Sequence, residues 1–206
     1  MIRILVVDDH PVVREGLVAI LEDERDFQVM AAVGSAEAAV EAAGRGRPDI
    51  ILLDLELPHV VGVDAIPRLA AVSPGARVVV LTAYDTEERV LGALRAGACG
   101  YLLKGATAEE IGRAIRAVHA GGSYLSARIA ATVLTQVRDP ARTTVLTRRE
   151  RMVLRLVADG LSSKAIARRL EITERTVKFH VGSILNKLGA GTRAQAVAEA
   201  ARRGLL

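Results

Sequence analysis

The chain opens MIRILVVDDH, an apolar run from Ile2 to Val7 that stops at two adjacent carboxylates, Asp8 and Asp9. Three other apolar runs stop at polar groups: DIILLDLELP at Asp54, ARVVVLTAY at Thr82 and CGYLLKG at Lys104. Singly these are ordinary, because Asp suits a helix start, Thr is a β-branched strand residue and a surface Lys is solvated. As a set they have a chemistry. Three carboxylates brought to one place repel unless a divalent cation holds them, and oxygen-only ligands suit Mg²⁺, which keeps several waters and accepts a phosphoryl oxygen. Asp54 then becomes a carboxylate poised to attack phosphorus. Lys104 supplies a counter-charge, and the Thr82 hydroxyl donates to the phosphoryl oxygens.

Such a set needs elements that deliver it to one rim. Strand-like runs occur at Ile2–Val7, Phe27–Val33, Asp49–Leu53, Ala76–Leu81 and Cys99–Leu103, separated by stretches with helical periodicity. Pro11 stands where a first-turn proline belongs, Ser35 precedes AEAAVEAA, and Thr107 with Glu110 forms a T-x-x-E capping signal. Strands this continuously apolar are covered on both faces. Right-handed crossovers then make a five-stranded, doubly wound parallel sheet, whose ligands bind beyond the carboxyl ends of the strands. No G-x-G-x-x-G follows the first strand, which excludes the usual dinucleotide site.

Composition splits the 206-residue chain into unlike halves. Residues 1–120 hold 12 Lys+Arg against 18 Asp+Glu, net −6, whereas residues 121–206 hold 16 against 6, net +10. An acidic half suits cations and a basic half suits phosphate backbones. The single cysteine, Cys99, rules out an internal disulfide framework, and no apolar run approaches bilayer-spanning length. The expectation is a soluble cytoplasmic protein with no membrane partner. The four histidines, His10, His59, His119 and His180, have no metal or triad spacing, although His10 adjoins the acidic pair.

The basic half carries helix signals and no β pattern. GGS at Gly121–Ser123 and RDPAR at Arg138–Arg142 bracket a segment suited to a short linker helix. Beyond it, Thr147 with Glu150, Ser162, Thr173, and Thr192 with Gln195 open four capped helices. The tight LEIT link before the third of these is the spacing of a helix-turn-helix. In the third helix Val177, Val181, Ile184, Leu185 and Leu188 form a core stripe, leaving Arg175, Lys178, Phe179, Gly182 and Asn186 on the opposite face. Lys can bond guanine acceptors, Phe can meet a thymine methyl, and Gly182 permits close approach.

With those residues in place, residues 1 to about 120 resemble the receiver domain of a two-component response regulator. The stretch from LTRRERMVLRL to GTRAQAV resembles the LuxR-type helix-turn-helix of the NarL/FixJ class. The resemblance implies a flavodoxin-like receiver at 1–120, a linker at 121–143 and a four-helix DNA-binding domain at 144–206. It implies phosphoryl transfer from a histidine kinase to Asp54, direct Mg²⁺ ligation by Asp9 and Asp54, ligation by Asp8 through water, and a backbone carbonyl ligand at Glu56. Tyr101 matches the aromatic that turns inward as Thr82 meets the phosphoryl group, or it packs at a strand end. Lys178, Phe179 and Gly182 are implied to face bases, and Arg175 and Thr176 to face phosphates. The last helix is implied to pair protomers on double-stranded DNA.

Some positions depart from the pattern. Gly105 follows the lysine where proline is common, Ser163 and Ala165 replace the usual Asn and Glu, and Glu56 and Tyr84 flank the acceptor at variable positions. Two other functions fit parts of the same residues. A Mg²⁺-dependent phosphohydrolase would use an Asp nucleophile in the same way, although no insertion separates the βα units to build a substrate pocket. A regulator that binds DNA without phosphorylation would keep the basic half unchanged.

Overall fold

The computed structural model describes residues 1–57, 62–138 and 146–206, with only the backbone given for 136–138 and 175. His59, the RDPAR stretch beyond residue 138 and the expected boundary at 143–144 lie outside the described residues. Chain contacts divide the molecule into two units, Met1–Val133 and Leu134–Leu206.

In the first unit strands and helices alternate: β1 (Ile2–Val7), α1 (Pro11–Glu22), β2 (Phe27–Val33), α2 (Ala36–Gly46), β3 (Ile50–Leu53), α3 (Gly62–Val72), β4 (Arg77–Thr82), α4 (Glu87–Arg95), β5 (Gly100–Leu103) and α5 (Ala108–His119). All strand pairs are parallel, and the order is β2-β1-β3-β4-β5-β6. The first five follow the flavodoxin-like order, which reverses direction between β1 and β3. Alternate strand residues feed two cores. Leu5, Val7, Ile51, Leu53 and Val80 meet α2, α3 and α4, whereas Ile4, Val6, Leu52, Leu81 and Leu102 meet α1 and α5.

The sixth strand departs from the expected five. Tyr124–Leu125 (β6) pairs with Gly100–Tyr101, and α6 (Ala127–Arg138) follows it. Leu125 packs against the core and Ile129 is fully buried there, so the start of the expected linker is built onto the receiver sheet.

Caps set the helix starts. Ser35, Thr107, Ser162, Thr173 and Thr192 each accept the backbone N–H three residues on, and Thr147 with Glu150 makes a reciprocal capping box. In the second unit α7 (Arg148–Ala158), α8 (Ser163–Arg169), α9 (Glu174–Leu188) and α10 (Arg193–Arg202) close over Val153, Leu154, Ile166, Val177, Ile184 and Ala200. Between α8 and α9 the Ile172 N–H reaches the Ala167 carbonyl at 3.0 Å while Glu171 takes φ 52°. A non-glycine residue in this left-handed region costs roughly 1 kcal/mol.

Candidate phosphoryl-transfer site and nucleic-acid interface

The strand order brings Asp8 and Asp9, just beyond β1, next to Asp54, just beyond β3, at the switch point of the sheet. Asp8 and Asp54 are almost completely buried, whereas Asp9 is partly open. One cation joins the two buried carboxylates: Lys104 Nζ lies 2.7 Å from Asp8 Oδ2 and 2.7 Å from Asp54 Oδ2. Burial alone would lower the Lys104 pKa, but hydrogen bonds and attraction to Asp54 and Asp8 hold it above its ordinary value. The remaining oxygens are oriented by backbone: the His10 N–H donates to Asp8 Oδ1 at 2.9 Å, and the Glu56 N–H donates to Asp54 Oδ1 at 3.2 Å.

His10 belongs to the same cluster. Its Nδ1 lies 2.7 Å from Asp9 Oδ1, and one donor atom each from Asp8, Asp9, His10 and Asp54 fall within 4.8 Å of one another. Three carboxylates balanced by a single lysine leave a surplus of negative charge on oxygen donors, a set that fits Mg²⁺.

Thr82, the last residue of β4, is fully buried and its Oγ1 has no hydrogen-bond partner. Its carbonyl accepts the Lys104 N–H at 2.7 Å, so the hydroxyl and the ammonium come from adjacent strand ends. An orphaned buried hydroxyl costs about 1–3 kcal/mol, which an arriving oxyanion would recover. Gly105 takes φ +119°, which a proline cannot adopt, and no cis peptide occurs among the described residues. The lysine turn is therefore made by glycine's conformational freedom.

Tyr101 is completely buried, and its hydroxyl donates to the Tyr84 carbonyl at 2.8 Å. Burial pushes its phenol pKa well up. Two contacts at this rim were not legible from spacing. Arg14 Nη1 donates to the Asp8 carbonyl at 2.7 Å, and Arg89 from α4 reaches Glu56 Oε1 at 3.2 Å with its guanidinium 4.0 Å over the Tyr84 ring. Arg14 follows His10 by one helical turn, a weak signal; Arg89 has no local signal at all.

In the second unit the inward stripe of α9 is Val177, Val181, Ile184 and Leu188. Lys178 and Asn186 are exposed, and a Cβ at Gly182 would meet nothing within 4 Å. These three lie four residues apart on one outward face. Phe179 is half-buried, in edge contact with His180 at 5.9 Å. The Thr176 hydroxyl lies 2.9 Å from that of Thr173 at the helix start, and the Arg175 side chain is outside the described residues. Beneath the stripe, fully buried Glu150 accepts from Ser183 Oγ at 2.6 Å, Lys187 Nζ at 2.9 Å and the Thr147 N–H at 2.7 Å. Burial alone would raise the Glu150 pKa, but these donors hold it below the ordinary carboxylate value.

Residues 4–116 match the family model of the response regulator receiver domain, and residues 144–200 match that of bacterial regulatory proteins of the luxR family. The transcriptional regulatory protein DegU of Brevibacillus brevis is 36% identical over 222 residues, spanning 98% of this chain and 94% of DegU. The DNA-binding transcriptional activator DevR/DosR of Mycobacterium tuberculosis is 38% identical over 200 residues, spanning 95% of this chain and 92% of the relative. Among solved structures, the response regulator ChrA of a heme-sensing two-component system aligns with TM-score 0.55 at 35% identity, covering 100% of this chain and 98% of ChrA.

Proposed function

Because the chain belongs to the NarL/FixJ class of two-component response regulators, we propose that Asp54 accepts a phosphoryl group from a histidine kinase and thereby controls operator binding. The protein is a DNA-binding transcriptional response regulator. Its phosphoacceptor unit in this reading is residues 1–120, its DNA reader is 144–206, and 121–143 connects them. No helix of the described residues is long and apolar enough to cross a membrane.

The observation that carries the reading is the pairing of a lysine bridging Asp8 and Asp54 at 2.7 Å with the orphaned, buried Thr82 hydroxyl on the neighbouring strand end. An Asp54 carboxylate oxygen attacks the phosphorus of the donor while the phosphohistidine nitrogen leaves. Lys104 exchanges its bond to the Asp54 oxygen for one to a phosphoryl oxygen, and the Thr82 hydroxyl donates to another. Mg²⁺ would be held by Asp9, Asp54 and the Glu56 carbonyl, with Asp8 acting through water; when bound it neutralises charge on the phosphoryl oxygens. Movement of Thr82 draws on the loop that carries the Tyr84 carbonyl, to which Tyr101 is bonded. On the DNA side, Lys178, Phe179 and Gly182 meet base edges, while Arg175 and Thr176 meet phosphates.

Acetyl phosphate with and without Mg²⁺, followed by intact-mass spectrometry, tests the first step. Wild type should gain one phosphoryl group only with the metal, and Asp54→Ala should gain none. Equal labelling of the two proteins would remove Asp54 from the reaction. Sustained hydrolysis of phosphate esters at enzyme-like rates would restore the phosphohydrolase reading.

A further inference from the structure

The phosphoacceptor has a second carboxylate at its edge. Glu56 follows Asp54 by two residues, and its N–H is bonded to Asp54 Oδ1, so its side chain leaves the backbone at the mouth of the site. That carboxylate is not left to solvent: Arg89 holds it at 3.2 Å, and the same guanidinium lies 4.0 Å over Tyr84, the residue whose carbonyl receives the Tyr101 hydroxyl. The Arg89 side chain is only 13% exposed, so this is an ordered clamp and not one of the weak ion pairs of an open surface. It ties the loop after β3 to the loop after β4, on either side of the acceptor.

We propose that Arg89 is a positioning residue that sets the lifetime of the Asp54 acyl phosphate by keeping the Glu56 carboxylate from acting as a base. The inference rests on phosphorylation of Asp54. Hydrolysis requires a water oxygen to bond to phosphorus as the bond between phosphorus and the Asp54 oxygen breaks, with that electron pair returning to the Asp54 carboxylate. The water must also lose a proton. Asp8, Asp54 and Lys104 already satisfy one another deep in the site. Glu56 is 38% exposed and faces the open side, where water enters, so it is the carboxylate placed to take the proton. A carboxylate already accepting a guanidinium hydrogen bond is a poorer proton acceptor. Stacking on Tyr84 also holds that ring as a cover.

The test is the decay of phosphorylated full-length protein after acetyl phosphate is removed, in Mg²⁺ buffer, for wild type, Arg89→Ala, Arg89→Lys, Glu56→Gln and the double variant Arg89→Ala with Glu56→Gln. Labelling is scored first: a wild type that takes up no phosphoryl group sinks the acceptor reading, independently of the clamp. Given labelling, Arg89→Ala should shorten the lifetime roughly three-fold or more, within what a positioned base supplies. Arg89→Lys, which keeps a cation beside Glu56, and the double variant should each restore at least half of the loss. A general loosening of the fold would not be reversed by adding a second substitution. An Arg89→Ala lifetime equal to wild type, or a double variant as short-lived as Arg89→Ala, overturns the proposal.

Discussion

At the scale of single residues, Lys104 and Glu150 solve the same problem in the two units: each lies where opposite charge is withdrawn from water, and each is held by more than one partner. Removing Lys104 leaves Asp8 and Asp54 buried without their cation, and breaking a buried pair in this way costs about 3–5 kcal/mol. Lys104→Ala should therefore melt well below wild type in chelator, and Mg²⁺ should raise its melting temperature more than that of wild type, by mass action on the folded state. Equal metal responses would mean that the carboxylates do not share an ion. For Glu150 the pH sign follows from the lowered pKa. Its folded value lies below the unfolded 4.5, so its stabilisation is complete above that value and is lost as the pH falls through the folded one. Glu150→Gln should loosen the second unit by about 2–4 kcal/mol near neutrality. Hydrogen exchange in α7 and α9 should show the gap from wild type closing between about pH 5 and about pH 3.

Within the elements, α9 separates stability from recognition. Gly182 lies in the interior of a 15-residue helix with open space around its Cβ position, so nothing in the fold requires glycine there. Gly182→Ala should raise the stability of the second unit by about 0.5–1 kcal/mol, the usual helix penalty of glycine. If that face enters the groove, the same methyl should weaken operator binding while the melting temperature rises; unchanged affinity would remove Gly182 from the interface. One turn earlier, Lys178→Ala should cost about 1–3 kcal/mol on a specific site if the lysine reads a base. Competition titrations decide: equal losses on specific and random duplexes would assign Lys178 to phosphate.

For the whole molecule, a single helix-turn-helix unit covers few base pairs, so useful affinity requires two copies on half-sites about one helical turn apart. Phosphorylation must favour the paired form, and moving a switch from mostly inactive to mostly active takes a differential of about 5 kcal/mol. Sedimentation with operator titration, before and after treatment with acetyl phosphate, should show self-association and affinity rising together. If both stay constant while Asp54 carries its phosphoryl group, DNA binding is independent of phosphorylation. The +10 net charge of residues 121–206 further predicts that affinity falls steeply with salt, in proportion to the phosphates neutralised.

The sequence by itself determined the polar set at the strand ends and the helix starts. A parallel sheet with right-handed crossovers puts every strand's carboxyl end on one rim, so Asp8, Asp9, Asp54, Thr82 and Lys104 had to converge once their strands were recognised. The caps at Ser35, Thr107, Thr147, Ser162, Thr173 and Thr192 are three-residue hydrogen bonds and were legible for the same reason: their geometry is local. Only the tertiary structure decided that Arg89 meets Glu56 across 33 residues and that Lys187 meets Glu150 across 37. Those pairs depend on how far one packed element is offset from another, which no periodicity encodes. The sixth strand was hidden because two residues carry no period; Tyr124 and Leu125 became a strand by pairing with β5. The left-handed turn at Glu171 was set likewise by the need to swing α9 across α8, against the preference of the residue itself.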